Sequence, residues 1–283
     1  MLMNKLPSAK RAQALQMMAE GIALRAITRL TGINRTTLLK LLVDAGQAFS
    51  DYQDRTLVNL PCKRIQVDEA WAFCYAKQKN VATAKAAPEG AGDIWTWVGL
   101  DADTKLVASW HVGSRNSEDA TIFINDLAPR FASRVQLTSD GHRPYLEAIE
   151  GAFGADIDYA MLVKTYGASP DSAKGRYSPA DCTGAIKTPI MGKPDAKHIS
   201  TSFVERQNLN IRMGNRRMTR LTNAFSKKAV NHAHMMSVYF MHYNFVRIHQ
   251  TLKITPAMAA GVTKRLWEMS DMVSVLEAWE AAQ

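Results

Sequence analysis

Residues 64–68, Arg-Ile-Gln-Val-Asp, alternate polar and apolar side chains and predict a β-strand that begins buried. Two more strand-like stretches follow at 94–100 (IWTWVGL) and 106–112 (LVASWHV), and the turn-forming residues between them predict a β-hairpin. Short apolar runs at 135–138 and 159–164 predict two further strands, separated by helical segments. Together these stretches predict an α/β fold with a mixed five-stranded sheet and flanking helices.

The chain before this sheet has helical periodicity. Residues 1–48 predict three helices with a Gly-containing turn at 31–33, which is typical of a helix-turn-helix DNA-binding domain. The third helix is expected to end at Gly46. Its N-terminal end would present four side chains to base edges and phosphates, namely Arg35, Thr36, Thr37 and Lys40.

The remaining chain divides by composition. Residues 49–62 are expected to be a linker, 63–262 the sheet-containing domain, and 263–283 a C-terminal helical tail. Within the sheet-containing domain, residues 167–198 are rich in proline and glycine and predict an irregular insertion. Either a surface loop or a contact with DNA or another protein would explain this insertion.

The charge is distributed unevenly along the 283 residues, whose formal net charge is +9. Residues 1–65 and 199–283 each carry a net charge of +6, whereas residues 66–198 carry −3. Basic ends suggest a polyanionic partner such as nucleic acid. An acidic middle between them favours a metal-dependent enzyme, because bound cations reverse the local charge.

Several classes of protein are disfavoured by composition. The three cysteines, Cys62, Cys74 and Cys182, form no C-x-x-C pair, which argues against a disulfide framework or a Cys-rich zinc finger. No run of 18 apolar residues predicts a membrane span, and the polar N-terminus lacks a signal-peptide core. We therefore expect a protein of the reducing cytoplasm with no membrane partner.

Three carboxylates stand at the ends of predicted elements. Asp68 ends the first strand, Asp140 follows the fourth strand, and Glu205 lies in the first turn of a later helix. Parallel neighbouring strands would bring the two aspartates to one sheet edge, where the helix could add the glutamate. Clustered carboxylates require cations, and oxygen ligands suit Mg²⁺ or Mn²⁺, so we predict a site for two such ions.

Each acid also has a structural explanation. Asp68 could be a solvated strand end, and Asp140-Gly141 is an ordinary turn pair. The spacing of Ser202 and Glu205 fits a helix capping box. Glu69 should point to the opposite face of the strand from Asp68, which makes it the less favoured ligand.

The surroundings of Glu205 favour the chemical role. It is the one acid among residues 199–228, which contain seven lysines and arginines. These cations are Arg206, Arg212, Arg216, Arg217, Arg220, Lys227 and Lys228. They predict a phosphate-binding surface, in which we expect Arg206, Arg212, Arg216 and Arg217 to contact DNA.

The sequence around each acid forms a recognisable motif. Residues 65–69 (IQVDE), 137–142 (LTSDGH) and 202–208 (SFVERQN) resemble the three acidic motifs of bacterial insertion-sequence transposases of the DDE type, which have a ribonuclease-H-like, integrase-core catalytic domain. Residues 243–257, with the pattern Y-N-x-x-R-x-H-x-x-L followed by T-P-A, are similar to the C-terminal signature of the same family. The resemblance covers residues 60–262.

The resemblance implies a function and a catalytic triad. Asp68 and Asp140 would hold one shared metal ion and Glu205 the second, while Arg212 would contact the transposon end. Such enzymes bind the terminal repeats of their element, hydrolyse the phosphodiester at its end, and use the freed 3′-hydroxyl to attack target DNA. A homodimer or larger assembly on paired ends is implied as well.

Two other functions remain open for this sequence. A ribonuclease-H-like endonuclease would cut RNA–DNA hybrids or branched DNA with the same carboxylates. A DNA-binding regulator with an inert core would use the helix-turn-helix alone. The roles of Asn244, Arg247 and His249 are also open, since these residues could brace the catalytic domain or contact DNA.

Overall fold

A computed structural model describes residues 5–167, 181–219 and 222–283. The α-helices are α1 (Ser8–Ala19), α2 (Leu24–Thr31), α3 (Arg35–Thr56), α4 (Gln78–Val81), α5 (Ser117–Leu127), α6 (Pro144–Phe153), α7 (Ser202–Gly214), α8 (Ala229–Phe245), α9 (Pro256–Ala259) and α10 (Met269–Ala281). The strands are β1 (Arg64–Cys74), β2 (Gly92–Asp101), β3 (Val107–Gly113), β4 (Val135–Ser139), β5 (Ile157–Tyr166) and β6 (Cys182–Met191).

The strands form one mixed sheet in the order β3-β2-β1-β4-β5-β6. Strands β1, β4 and β5 are parallel neighbours, whereas β2, β3 and β6 pair antiparallel to their partners. The mixed α/β architecture is confirmed and is consistent with the ribonuclease-H-like expectation. The number of strands is a correction, because the sheet has six strands and five were predicted.

The sixth strand lies in the stretch predicted to be an irregular insertion. Strand β6 pairs with β5 over most of its length, from Cys182 opposite Tyr166 to Met191 opposite Tyr159. Nine of its ten residues are exposed, so no alternation of buried and exposed side chains marks it in the sequence. A proline is tolerated on such an edge strand, and Pro189 therefore did not prevent it. Residues 168–180 of the predicted insertion lie outside the described residues.

Each face of the sheet has its own layer of helices. Successive side chains of β1 point to opposite faces of the sheet. Val67 packs in a core cluster with residues of α5 and α6, and Ala70 packs in a second cluster with residues of α7 and α8. This is the period of two expected for a strand buried on both faces. The two helical layers thus approach β1 from opposite sides.

The predicted hairpin is present, and a side chain of α8 hydrogen-bonds to its second strand. Strands β2 and β3 pair antiparallel, and Asp101 Oδ2 accepts hydrogen bonds from the backbone N and the Oγ1 of Thr104 in the turn. The fully buried Asn244 side chain accepts from Val107 N at 3.1 Å and donates to Val107 O at 2.9 Å. Asn244 therefore braces the sheet, which decides between its two predicted roles.

The first three helices lie where the periodicity predicted them, but α3 is longer than expected. It continues through Gly46 to Thr56 and covers much of the predicted 49–62 linker. A Cβ atom at Gly46 would overlap His234 of α8, and Ser237 Oγ donates to Gly46 O at 2.7 Å. The glycine thus serves close helix packing and does not end the helix.

The predicted C-terminal tail is also part of this packing. Helix α10 buries Met272 and Leu276, and Trp279 Nε1 donates to Asp51 of α3 at 2.8 Å. Ser8 of α1 donates to Glu277 at 2.6 Å. The N-terminal helices are therefore packed against α8 and α10. Across the described ranges, every helix is too short or too polar to span a bilayer.

Candidate active site

Two aspartates meet where β1 and β4 run side by side. The parallel register pairs Gln66 with Thr138, so Asp68 and Asp140 each lie two residues further along their chains. Strand β4 ends at Ser139, which places Asp140 in the loop beyond it. Asp68 is in the middle of β1 and not at its end, as the sequence had suggested, because β1 continues to Cys74 beside β2.

Glu69 joins these aspartates. One carboxylate oxygen from each of Asp68, Glu69 and Asp140 lies within 4.8 Å of the other two. Glu69 does leave β1 on the opposite face from Asp68, as alternation requires, since its carboxylate interacts with Tyr145 of α6. However, β4 ends beside this point, so side chains from both faces of β1 can meet around Asp140.

Each member of this acidic cluster, Asp68, Glu69 and Asp140, has a polar contact that orients it. Asn208 Nδ2 of α7 donates to Asp68 Oδ2 at 2.8 Å, and the backbone N of His142 donates to Asp140 Oδ1 at 2.9 Å. Arg115 Nε donates to Glu69 Oε2 at 3.0 Å, and a terminal nitrogen of Arg115 lies 3.5 Å from Asp140 Oδ2.

The electrostatics of the acidic cluster favour a bound cation. Burial, reinforced by the nearby Asp140 carboxylate, raises the pKa of Asp68 to about 6. Burial also raises the pKa of Glu69 to about 7, against the opposing effect of the nearby Tyr145 hydroxyl. A divalent cation would favour the ionised form of both groups, and the all-oxygen donor set suits Mg²⁺ or Mn²⁺. The residues present therefore fit such an ion.

Glu205 is placed by an unexpected helix cap. The side-chain Oε1 of the buried Gln66 on β1 accepts hydrogen bonds from the backbone N of Phe203 at 2.9 Å and of Val204 at 3.1 Å. These are the unpaired N–H groups at the start of α7. Ser202 is the first residue of this helix, so the capping box suggested by Ser202 and Glu205 does not form.

The Glu205 carboxylate lines the same pocket as Asp68 and Asp140. It accepts a hydrogen bond from Thr201 Oγ1 at 2.6 Å and forms an ion pair with Lys164 of β5. It does not belong to the acidic cluster, in which the carboxylate oxygens lie within 4.8 Å of one another. The three predicted catalytic acids thus share one pocket, with Glu205 held at its wall.

The raised pKa values predict how stability changes with pH. Asp68 and Glu69 bind protons more tightly in the folded protein than in the unfolded chain, so their contribution to stability is present below about pH 4 and is lost as pH rises through about 6 to 7. Asp68→Asn mimics the protonated form. In EDTA, we expect the Tm of the wild type to fall relative to that of Asp68→Asn between about pH 4 and pH 8.

Thermal unfolding followed by circular dichroism measures this difference. Glu150→Gln, which changes an exposed acid on α6, is the control and should track the wild type at every pH. Adding Mg²⁺ should reduce the decline, because the ion stabilises the ionised carboxylates. Parallel Tm curves for wild type and Asp68→Asn would contradict the prediction.

The DNA contacts predicted on α3 are accessible. Arg35, Thr36, Thr37 and Lys40 are all exposed near the start of this helix. Asn34 caps the helix by accepting from the backbone N of Thr36 at 2.9 Å. Lys40 forms an ion pair with Asp44 at 2.7 Å.

The four arginines predicted around the end of α7 differ in their surroundings. Arg206 and Arg216 are exposed, whereas Arg212 and Arg217 are half-buried. Arg217 donates to Ser226 Oγ at 3.0 Å, and burial lowers its pKa to about 10. Arg220 lies outside the described residues.

No protein-family model matches the chain, and no curated protein matches it. Among solved structures, a piggyBac transposase synaptic complex with hairpin DNA is similar, with a TM-score of 0.38 and 8% identity over 97% of this chain and 70% of that chain. A TM-score of this size is a weak structural similarity to a transposase and carries no inference about activity.

Proposed function

We propose that this protein is a DNA transposase of an insertion sequence, of the DDE type. The observation that carries the proposal is one pocket lined by Asp68, Asp140 and Glu205. These are the acids of the three motifs that resemble the family. The pocket lies where the parallel strands β1 and β4 end their pairing, which is where α/β sheets collect functional groups.

The three acids would bind two metal ions. Asp68 and Asp140 would hold one Mg²⁺ or Mn²⁺, and Glu205 would hold a second. Bound there, such ions activate a hydroxyl nucleophile and stabilise the leaving oxygen of a phosphodiester. Asn208 orients Asp68, and the His142 backbone orients Asp140. The side chain of Glu69 is close enough to Asp68 and Asp140 to add a third ligand to the first ion.

The substrate in this proposal is double-stranded DNA at the ends of the element and at its target. The exposed residues at the start of α3 would read the terminal repeat, and exposed arginines such as Arg206 and Arg216 would contact phosphates. Lys164 lines the pocket together with the acids and adds positive charge beside them. A homodimer or larger assembly on paired ends is part of the same proposal.

Strand cleavage tests the proposal. A labelled duplex carrying the DNA that flanks this gene would be incubated with the protein in Mg²⁺, in Mn²⁺ and in EDTA. We expect nicking at a defined end with either cation and none in EDTA, because the carboxylates alone cannot activate the nucleophile. A duplex with a scrambled terminus is the control.

Two other outcomes would overturn the proposal. Specific binding of the flanking DNA without cleavage in either cation would instead support an inert regulator. Preferred cleavage of an RNA–DNA hybrid over the flanking duplex would support a ribonuclease-H-like endonuclease.

A further inference from the structure

A groove separates the α1–α2 region from residues 215–217 and 223–228, which lie between α7 and α8 in the chain. Five exposed cations line it, and we refer to them as the groove cations: Arg25, Arg35, Arg216, Lys227 and Lys228. Among the described residues, the lining of this groove contains no aspartate or glutamate. The groove therefore concentrates positive charge from both ends of the chain.

The groove cations form no ion pair with an acidic side chain. Over residues 5–167, 181–219 and 222–283, no ion pair involves any of the groove cations. By contrast, Lys5 and Arg11 on the same helical bundle both pair with Glu280. Lys227 lies over the aromatic rings of Phe225 and Tyr75, a contact that leaves its charge without an ion-pair partner. A groove of such cations fits an external anion.

The two walls of the groove are fixed relative to each other. Gly21, with φ of +76°, touches the end of α7 so closely that a Cβ atom there would lie 2.6 Å from Gly214 O. On the other wall, the half-buried Arg217 donates to Ser226 Oγ, which also contacts His232 Nδ1 at 3.1 Å. These contacts form the groove in the protein alone, so a ligand need not assemble it.

The lining of the groove includes residues from both predicted DNA-contacting regions. Arg35 is the first residue of α3, the predicted recognition helix, and Arg216 lies two residues beyond the end of α7. Helix α7 carries Glu205 near its start. Exposed cations without acidic partners along a groove match a linear polyanion better than a compact anion, because a linear polyanion repeats its charge at regular spacing.

We propose that this groove binds the phosphate backbone of duplex DNA as a sequence-independent site between the recognition helix and the catalytic sheet. The inference rests on the proposed function for its choice of duplex DNA. It adds Arg25, Lys227 and Lys228 to the predicted contacts. It also places Arg35 at the start of the recognition helix and Arg216 beyond the end of α7 along one groove.

The double variant Lys227→Gln/Lys228→Gln tests this inference. Each lost phosphate contact should reduce the slope of log affinity against log salt by about 0.9, so we expect a decrease of nearly 2. We also expect affinity to fall roughly tenfold at moderate salt. Fluorescence anisotropy in EDTA would measure binding of the flanking duplex and of a random duplex of about three helical turns. Both duplexes should weaken equally, because the contact reads no bases.

The control is Lys10→Gln/Lys264→Gln, which removes the same charge from exposed positions outside the groove. Its salt slope should stay near that of the wild type, and circular dichroism should show both variants folded. An unchanged salt slope in the groove variant would overturn the inference, and so would an equal decrease of the slope in the control. Tighter binding of duplex RNA than of duplex DNA to the groove would also overturn it. Because binding is measured without metal, failure of the cleavage proposal and failure of this inference give different results.

Discussion

The Asp140→Asn variant is expected to lose Mg²⁺-dependent strand cleavage by at least about a hundredfold while keeping its affinity for the flanking duplex. A carboxylate oxygen of Asp140 lies within 4.8 Å of one from Asp68 and one from Glu69, so its negative charge would help to hold a cation there. An asparagine Oδ1 can still accept the hydrogen bond from the His142 backbone, which should preserve the loop after β4. The loss would therefore be one of charge and not of structure.

Cleavage rates with labelled duplex measure this effect, and anisotropy measures binding in parallel. Glu150→Gln removes one carboxylate from the exposed face of α6 and should cleave at the wild-type rate. A regulator with an inert core would show no difference between Asp140→Asn and wild type. Retained cleavage in Asp140→Asn would remove this carboxylate from the catalytic site.

The part of the site that sequence could predict is the part set by local periodicity and one topological rule. Strand-like alternation located the start of β1, a short apolar run located β4, and parallel strands bring their ends together. That reasoning placed Asp68 near Asp140, and the register confirms their alignment. The rule required no knowledge of loops or of side-chain directions.

Glu69 shows where that reasoning stops. Alternation correctly put it on the face of β1 opposite Asp68, and this made it the less favoured ligand. Its carboxylate still comes within 4.8 Å of the aspartates, because β4 ends at Ser139 and no longer separates the two faces. The length of a neighbouring strand is a tertiary property that no pattern within β1 contains.

The errors in α3 and β6 have the same kind of origin. Gly46 was interpreted as a helix end because glycine often ends helices, but here it allows α3 to approach His234 of α8. Strand β6 is exposed along its length and carries Pro189, so it lacks the pattern of a half-buried strand. In both cases pairing with a distant element decides the local structure.

The Glu205→Gln variant is expected to cleave at least about a hundredfold more slowly than wild type and to show a smaller Mn²⁺-induced rise in Tm. Gln66 already supplies the cap of α7, so no capping role requires the Glu205 carboxylate. A glutamine can still accept from Thr201 Oγ1, so the local fold should persist. What the substitution removes is the charge at the wall of the acidic pocket.

The ion pair with Lys164 offers the competing explanation, since losing it could by itself disturb the pocket. Lys164→Gln breaks the same pair from the other side and leaves the Glu205 carboxylate in place. If Glu205 is a metal ligand, Lys164→Gln should keep or increase the Mn²⁺-induced rise in Tm, because a cation that competes for the carboxylate is gone. If the pair is merely structural, both variants should change the Mn²⁺ response alike. Equal responses would therefore assign Glu205 to the fold, and leave Glu69 as the third carboxylate beside Asp68 and Asp140.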